Sequence, residues 1–245
     1  MEDTEYDLMA RVEDRLWWYR ALHTNVARAL ARHAPADGRP VLDAGCGTGG
    51  TVIRVAPALL GGRTFVGLDY HPLACAHTRA RTGIGVVSGT VNALPFADAS
   101  FAAILSNDVL CHRSVDDRAA AAEAFRCLAP RGVLVINLPA YGWMMSTHDR
   151  QVHTARRYTR AGLRALLEGA GFAVAECGYW NTALFPLMAL RRKVFTPTGE
   201  SDVKDMPGPV NGLFAAVAGV EQRAIGLFGP MPFGGSVFAV ARRPG

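Results

Sequence analysis

Apolar residues in the first part of the chain recur near the 3.6-residue period that places side chains on one face of a helix. These residues are Leu8, Val12, Leu16, Tyr19, Leu22, Val26 and Leu30. A breaking segment at 33–38, which contains a proline and a glycine, then ends the pattern. The pattern therefore predicts an N-terminal helical region over residues 1–36, which we expect to form a lid or flank.

From residue 40 onwards, short apolar runs typical of buried strands alternate with helical patterns. Strands are predicted near 40–44, 64–69, 84–88, 101–106, 132–138, 172–180 and 236–241. Helices are predicted to start near Thr48, Pro72 and Asp116, and a further one runs from Thr159 to Glu168. Such alternation predicts an α/β fold with a mostly parallel, doubly wound sheet, whose ligands bind beyond the carboxyl ends of the strands.

Residues 182–233 form an insert outside this alternation. They contain two apolar helical stretches, 184–195 and 213–228, separated by a segment rich in turn-forming residues. The first stretch ends in basic residues, so it is suited to lying on an anionic membrane, joining subunits or covering an apolar substrate. We interpret the insert as a helical cap over the active site, while a helix simply packed on the sheet remains the alternative.

Length and composition favour a single domain. The chain has 245 residues, half of them hydrophobic, which is enough to bury a full core. The predicted parts of this one domain, 1–245, are the N-terminal helical lid (1–36), the cofactor-binding core (40–181), the helical cap insert (182–233) and the last strand (234–245).

The cysteines and the termini bear on where the protein works. The five cysteines, Cys46, Cys75, Cys111, Cys127 and Cys177, are widely spaced and include no CxxC pair, which argues against a disulfide framework or a thiolate zinc site. The N-terminus is acidic and lacks the basic and apolar regions of a signal peptide, and the apolar run at 213–220 is too short to span a bilayer. We therefore expect a cytoplasmic protein without stable membrane insertion.

The net charge of +5 results from 26 basic and 21 acidic residues, and all but two of the basic residues are arginine. A nucleic-acid enzyme is expected to concentrate such charge on one face. We interpret the arginines as a solvated surface, part of which can receive an anionic substrate, and expect no nucleic-acid partner.

The segment 41–50, Val-Leu-Asp-Ala-Gly-Cys-Gly-Thr-Gly-Gly, places Asp43 two residues before a glycine turn that follows an apolar strand. Gly45, Gly47 and Gly49 allow backbone conformations and a close approach that a β-carbon forbids. The same glycines also satisfy the G-x-G-x-x-G fingerprint of dinucleotide binding. However, Asp43 would repel a pyrophosphate and attract a cation such as S-adenosylmethionine, which carries an ammonium and a sulfonium.

Five segments, in this order, resemble those of class I S-adenosylmethionine-dependent methyltransferases, particularly the bacterial small-molecule branch. They are VLDAGCGTGG (41–50), FVGLDY (65–70), GTVNALPFADASF (89–101), SNDVLCH (106–112) and FRCLAPRGVLVINLP (125–139). The resemblance covers residues 40–180. It implies a Rossmann-like sheet of seven strands with an antiparallel last strand, and S-adenosylmethionine as the cofactor.

The resemblance also implies which residues hold the cofactor. Gly45, Cys46 and Gly47 would approach its amino-acid end, and Asp43 would contact its ammonium directly or through water. Asp69, at the end of the second strand, would bind the ribose hydroxyls, a role that it would also have with a dinucleotide.

Three further positions extend this set toward the adenine and the transferred methyl group. Tyr70 stands where the family places a side chain against the adenine, and an aromatic ring can stack there. Thr90 replaces the aspartate that commonly accepts from the adenine amino group, so we expect a backbone contact near Val91 instead. Asn107 begins the segment 107–112 after the fourth strand, at the sheet edge where the methyl group would lie.

Catalytic candidates are drawn from residues that can accept a proton. His112 lies in the segment after strand four, and a histidine pKa suits it to remove a proton from a hydroxyl or amine, although a packing role is the alternative. In the long loop after strand five, His148 or His153 is a candidate general base, with Asp149 orienting an imidazole. These three loop residues also have the types that bind metals, but their sequence does not establish a coordination geometry and we expect no metal.

The same loop, 139–159, supplies candidates for substrate recognition. Tyr141 and Tyr158 offer aromatic surface, and Arg156 or Arg157 can pair with a carboxylate or phosphate of the acceptor. Alternatively, the segment 156–158 locks the start of the following helix, with Thr159 as its N-cap.

The N-terminal run Trp17-Trp18-Tyr19-Arg20 completes the set. Three consecutive aromatic side chains cannot all face one core, so at least one is expected to face the active-site cleft. We assign Trp18 and Tyr19 to the substrate and Arg20 to the cofactor, with core packing as the alternative for the aromatic residues.

We therefore expect transfer of a methyl group from S-adenosylmethionine to an oxygen, or a nitrogen, of a small and largely apolar metabolite of secondary metabolism in a bacterium. A homodimer is compatible with the insert. The alternatives are a nicotinamide-dependent oxidoreductase, a relative that binds the cofactor without methylating, and a membrane-surface lipid methyltransferase.

Overall fold

The computed structural model describes residues 3–59, 62–194 and 206–245, with the backbone alone for residues 3–5, 148, 151, 193 and 194. The described helices are α1 (Asp3–Val12), α2 (Trp17–His33), α3 (Gly50–Val55), α4 (Pro72–Thr82), α5 (Asp117–Cys127), α6 (Thr147–Gln151), α7 (Arg160–Gly169), α8 (Phe185–Val194) and α9 (Gly208–Phe228). The described strands are β1 (Val41–Ala44), β2 (Phe65–Asp69), β3 (Gly85–Ser88), β4 (Phe101–Asn107), β5 (Leu128–Pro139), β6 (Ala173–Trp180) and β7 (Ser236–Arg242).

The seven strands form one sheet in the order β3-β2-β1-β4-β5-β7-β6. Strands β1 to β5 pair in parallel, whereas β7 runs antiparallel to both β5 and β6. The chain reverses its direction of travel along the sheet between β3 and β4, so a crevice opens beyond the ends of β1 and β4. The predicted doubly wound sheet and its antiparallel last strand are confirmed.

Successive strand residues point to opposite sides of the sheet, and apolar residues on both sides need to be buried. Helices therefore cover both faces. In β1, Leu42 belongs to the core that contains residues of α5 and α7, and Val41 to the core that contains residues of α2, α3 and α9. Both side chains have no exposed surface. Each such side chain contributes about 1.5–3 kcal/mol of burial free energy, which fixes the sheet that carries the site.

The N-terminal region differs from a continuous helical pattern, since α1 ends at Val12 and α2 begins at Trp17. The backbone N–H of Trp17 donates to Oδ1 of Asn211 in α9 at 2.9 Å, and the Trp17 ring meets Phe214 edge-on at 5.7 Å. A residue nearly two hundred positions away thus caps the start of α2, which the local pattern could not indicate.

The insert joins α2 on one face of the sheet. Helix α9 begins at Gly208, five residues before the predicted start, because Pro209 lies in its first turn, where a fixed φ favours a helix. The buried carboxylate of Glu221 accepts from the backbone N–H groups of Thr182 and Ala183 at 2.9 and 3.0 Å, which ties α9 to the segment leading into α8. The end of the predicted stretch 184–195 lies outside the described residues. None of the described helices has the length and hydropathy needed to cross a bilayer.

Candidate active site

The glycine turn after β1 forms the floor of the site. Gly45, Gly47 and Gly49 have φ values of +93°, +52° and +87°, which favour glycine. The backbone N–H groups of Gly45 and Cys46 donate to the carbonyl of Leu68 in β2 at 2.7 and 3.0 Å, which holds the turn against the sheet. A β-carbon on Gly45 would collide with the side chain that follows β4 at position 109. Gly45, Cys46 and Gly47 also line a cavity, so the turn presents its backbone to a ligand.

Asp43 lies beneath this turn with only 1% of its surface exposed. Its Oδ2 atom has no hydrogen-bond partner among the described residues. Burial, together with the charges of Asp69 and Glu13, raises the pKa of Asp43 to about 8. Asp43 does not line the cavity of about 660 Å³ that Gly45 and Gly47 face. This placement favours the water-mediated form of the contact with a ligand ammonium over the direct form.

Asp69 lines the cavity at the tip of β2. Its two carboxylate oxygens accept from the backbone N–H groups of Gly47 and His71, each at 3.0 Å. Burial raises its pKa, although these hydrogen bonds act in the opposite direction. A carboxylate oxygen has two lone pairs, so the oriented group retains acceptor capacity for a pair of hydroxyls.

The predicted adenine positions lie along the same wall. Tyr70 is 54% exposed and lines the cavity, as do Thr90 and Val91. The Thr90 hydroxyl accepts from the backbone N–H of Asn92 at 3.2 Å, so it partly serves its own loop. Asn107 also lines the cavity, and its Oδ1 atom is buried without a hydrogen-bond partner among the described residues.

Helix α1 and the residue that follows it close over the glycine turn through two side chains, Tyr6 and Glu13, that the sequence pattern does not indicate. Tyr6 is buried, stacks on the ring of His71 at 4.7 Å and lines the cavity. Glu13, with 4% of its surface exposed, accepts from the Thr48 hydroxyl and from Arg81 of α4. The sequence carries no signal for Glu13, because its burial and its contact with Arg81 appear only in the fold.

Asp108 follows β4 and lines the cavity, and it too was not singled out from the sequence. Its φ of +56° lies in the left-handed region that few residues other than glycine adopt. Its Oδ1 atom accepts from Nδ2 of Asn137 at 3.1 Å. Burial raises the pKa of Asp108 to about 7, against the lowering effects of Arg157 and Asn137 and with the raising effect of Asp149. An acid directly after the strand that ends at the methyl-transfer edge was the available signal.

The three candidate histidines differ in whether they line the cavity. His112 lines the cavity, and burial lowers its pKa. His153 has a φ of +58° and is absent from the lining of the cavity. The side chain of His148 lies outside the described residues.

Asp149 lines the cavity but forms an ion pair, where sequence analysis expected it to orient an imidazole. Its Oδ1 atom accepts from Nε and Nη2 of Arg157 at 3.0 and 2.7 Å. Its Oδ2 atom accepts from the backbone N–H and hydroxyl of Ser146, each at 2.8 Å, and from Arg192 at 3.4 Å. The carboxylate is therefore committed to positioning Arg157 and the loop around it, which corrects the predicted role.

Arg156 and Tyr158 do not line the cavity, in contrast to the substrate-binding role predicted for them. Arg156 donates to the carbonyl of Val115 at 2.9 Å and pairs with Asp117 at 3.3 Å. The Tyr158 hydroxyl donates to Asp117 at 2.8 Å. Thr159 accepts from the N–H of residue 162 at 3.1 Å as the N-cap of α7. The structural alternative therefore describes Arg156, Tyr158 and Thr159, whereas Arg157 lines the cavity.

The aromatic candidates divide in the same way. Trp18 and Tyr19 line the cavity, and Trp18 packs on Trp180 at 5.6 Å. Tyr141 instead stacks on Tyr179 at 5.0 Å, in an aromatic cluster away from the cavity lining. Arg20 is exposed and does not line the cavity, so the predicted cofactor contact is not formed by this arrangement.

Together these groups line a cavity of about 660 Å³. Along the sheet edge, in the strand order β2-β1-β4, its lining passes from Asp69 and Tyr70 through the glycine turn to Asn107, Asp108 and His112. Helices α2, α8 and α9 contribute Trp17, Trp18, Leu187, Met188, Arg191 and Phe214, which we call the acceptor end. In the described part of the chain, no three histidine, cysteine or acidic residues are grouped so that they could hold a metal ion.

The arrangement fits S-adenosylmethionine better than a dinucleotide. The turn lines the cavity with its backbone, Asp43 keeps an unpartnered carboxylate oxygen beneath it, and Asp69 lines the cavity as expected of the residue predicted to bind the ribose. These carboxylates favour a ligand that carries an ammonium and a sulfonium, and they disfavour a pyrophosphate.

Comparisons with known proteins agree with a site for S-adenosylmethionine. A family model described as a methyltransferase domain matches residues 41–132. A Mycolicibacterium smegmatis protein named as an S-adenosylmethionine-dependent methyltransferase is 34% identical over 164 residues, which are 65% of this chain and 61% of the relative. This chain thus spans less than two thirds of that relative's length. A protein of Encephalitozoon cuniculi named as a methyltransferase is 31% identical over 173 residues, which are 60% of this chain and 77% of the relative.

A solved structure supports the fold. A chain in the complex between the Haloferax volcanii Trm112 methyltransferase activator and a methyltransferase superposes with a TM-score of 0.63 and 23% identity. The match covers 99% of this chain and 94% of that chain. The predicted fold and cofactor are thereby confirmed, and the nicotinamide alternative is not supported. By its sequence, its sheet and its glycine turn, the chain belongs to the class I S-adenosylmethionine-dependent methyltransferases.

Proposed function

We propose that this protein transfers the methyl group of S-adenosylmethionine to an oxygen or nitrogen of a small, largely apolar metabolite of bacterial secondary metabolism. The observation that carries the proposal is a cavity of about 660 Å³ that is lined both by the glycine turn and by apolar residues of α2, α8 and α9. A volume of this size is typical of small-molecule sites.

The cofactor end of the cavity is built from backbone and carboxylates. Gly45 and Gly47 admit the amino-acid part of the ligand, Asp43 attracts its ammonium from beneath, and Asp69 accepts from its ribose hydroxyls. Tyr70 offers its ring to the adenine. When bound, S-adenosylmethionine supplies an electrophilic methyl group.

The acceptor end is mainly apolar. Trp18, Leu187, Met188 and Phe214 line the cavity from α2, α8 and α9, which supports a lid and a cap over the acceptor. Arg191 adds a cation at this end, which suits an acceptor with an acidic group. Walls of this kind exclude water and hold the acceptor in line with the methyl group.

Calorimetry and product detection test the proposal. The purified protein should bind S-adenosylhomocysteine with measurable heat and should release it from S-adenosylmethionine when given an acceptor from a panel of matched hydroxyl and amine compounds on the same aromatic or alkyl skeletons. Arg20→Ala, an exposed change away from the cavity, serves as the control and should leave binding unchanged. The absence of S-adenosylhomocysteine binding would overturn the proposal.

Two further expectations accompany it. We propose a cytoplasmic location, supported by five free cysteines, four of them buried, which suit a reducing compartment. The homodimer compatible with the sequence stays a prediction, and light scattering of the purified protein measures it directly.

A further inference from the structure

We propose that Asp108 is the catalytic carboxylate that receives the proton of the acceptor during methyl transfer. This inference rests on the proposed function and assigns its proton acceptor to a residue other than the histidines predicted from sequence. Asp108 follows β4 and lines the same cavity as the glycine turn and the acceptor end.

The position of Asp108 relative to the cofactor end is fixed by its neighbour. Val109 lies so close to Gly45 that a β-carbon on the glycine would collide with it. The segment after β4 therefore contacts the turn that receives the amino-acid part of the cofactor. Asp108 precedes Val109 and lines the same cavity as the turn, so its carboxylate would face a cofactor that is held there.

A buried hydrogen-bond chain holds the Asp108 carboxylate in place. The indole Nε1 of Trp180 donates to Oδ1 of Asn137 at 2.7 Å, and Nδ2 of Asn137 donates to Oδ1 of Asp108 at 3.1 Å. The backbone N–H of Asp108 also donates to the carbonyl of Asn137 at 2.8 Å. Both Trp180 and Asn137 are almost wholly buried. This support explains how Asp108 keeps its left-handed φ of +56°, a conformation that costs roughly 1–3 kcal/mol.

The second carboxylate oxygen, Oδ2, accepts no hydrogen bond from any described residue. The other acids of the cavity are engaged elsewhere, since Glu13 is paired with Arg81, Asp149 is paired with Arg157 and Asp69 is assigned to the ribose. Asp108 is therefore the acid of the cavity that keeps an oxygen for a ligand.

The electrostatic surroundings suit proton transfer near neutral pH. Burial raises the pKa of Asp108 to about 7, Arg157 and Asn137 lower it, and Asp149 raises it. The Cys111 thiol, whose own pKa is raised by burial and by Asp108, is the other titratable group that faces it. A base with a pKa near the working pH combines a populated ionised form with a useful affinity for the proton.

The step balances without a further reactant. The Asp108 carboxylate takes the proton of the acceptor's hydroxyl or protonated amine, and the freed lone pair on that oxygen or nitrogen forms the new bond to the methyl carbon. The electrons of the broken carbon–sulfur bond remain on sulfur. The products are the methylated acceptor, S-adenosylhomocysteine and protonated Asp108, which returns its proton to water.

Sinefungin tests the assignment without knowledge of the acceptor, because this cofactor analogue carries a protonated amine where S-adenosylmethionine carries its methyl-sulfonium group. Calorimetry should show that Asp108→Asn lowers the affinity for sinefungin relative to S-adenosylhomocysteine by at least about ten-fold at pH 8, through loss of a charge-assisted hydrogen bond. Asparagine has the same shape and tolerates a positive φ, so the variant should fold. Asp98→Asn, at an aspartate whose side chain is 75% exposed, is the matched control and should leave the ratio unchanged.

A second measurement uses the unaltered protein. Its preference for sinefungin over S-adenosylhomocysteine should rise several-fold between pH 6 and pH 8, because Asp108 ionises around pH 7 while an alkylammonium titrates near roughly pH 10. Ionisation of Asp43 and Asp69 affects the binding of both ligands, so its contribution largely cancels in the ratio of the two affinities. If S-adenosylhomocysteine binds normally but the affinity ratio depends on neither pH nor Asp108, the role of Asp108 is refuted and the proposed function is not. If S-adenosylhomocysteine does not bind, the proposed function fails with it.

Discussion

Replacing Asp149 by alanine should destabilise the protein more than a typical surface change, because it removes one member of a buried ion pair. The side chains of Asp149 and Arg157 are 3% and 4% exposed, and their closest atoms lie 2.7 Å apart. Arg157 would keep its hydrogen bond to the carbonyl of Ala140 at 3.0 Å but lose its counter-ion. Ser146 would lose the acceptor of both its N–H and its hydroxyl.

The expected cost follows from this burial. Breaking a buried pair by removing one partner costs about 3–5 kcal/mol, since the remaining charge is left desolvated. For a domain of this size, each kcal/mol lowers the Tm by about 2–4 °C, so we expect a decrease of roughly 6–20 °C. Burial alone raises the pKa of Asp149, but Arg157, Ser146 and Arg192 outweigh it and hold the pKa below its usual value. The stabilisation is therefore present above the unfolded-state pKa and is lost as the pH falls through the lower folded-state pKa.

Thermal and urea unfolding measure this effect. Glu168→Ala is the matched control, because Glu168 and Arg164 form an exposed pair on α7 with side chains 52% and 44% exposed, and its loss should cost less than about 1 kcal/mol. The double variant Asp149→Ala/Arg157→Ala should cost less than the sum of the two single variants. If the Asp149→Ala protein is as stable as the Glu168→Ala control, the Asp149–Arg157 pair does not position the loop.

Three other changes test the cofactor end. Asp69→Ala should weaken S-adenosylhomocysteine binding by about ten-fold or more in calorimetry, through loss of a charge-assisted acceptor, and an unchanged Kd would remove Asp69 from the ribose site. Gly45→Ala should lower stability by at least about 1 kcal/mol in urea unfolding, because φ is +93° and Val109 occupies the space, whereas a normal unfolding midpoint would contradict the close approach. The folded-state pKa of Asp43 is raised to about 8, so the free protein should lose stability as the pH rises from 5 to 8, and Asp43→Asn should flatten that dependence.

The sheet could be predicted from sequence because burial leaves a local trace. Strands buried on both faces appear as short apolar runs, such as the one at 101–106, and the turn residues between them mark the connections. The N-cap of α7 at Thr159 was equally local, and its side chain accepts from the N–H of residue 162 as expected. The antiparallel direction of β7 left no such trace and came only from resemblance.

Only part of the site could be predicted, because only some of its contacts join residues that are close in sequence. The glycine turn lies within one segment, so its role was apparent, but the Glu13–Arg81 contact joins residues 68 positions apart. The role of Asp108 depends on Asn137, 29 positions away, and on Trp180, a further 43 positions along the chain. Residue type favoured histidine as the base, whereas orientation by distant partners favours an aspartate.

The buried acids also connect cofactor choice to stability. Asp43 and Asp69 form no ion pair among the described residues, and the charge of Asp69 raises the pKa of Asp43. Ionising both carboxyl groups in this desolvated turn therefore costs the free protein stability, and the cost grows as the pH rises toward 8. A ligand with an ammonium and a sulfonium relieves this repulsion, whereas a pyrophosphate would increase it. The same carboxylates that make the empty turn unfavourable thus give it selectivity, so S-adenosylmethionine should bind more tightly as the pH rises and these groups ionise.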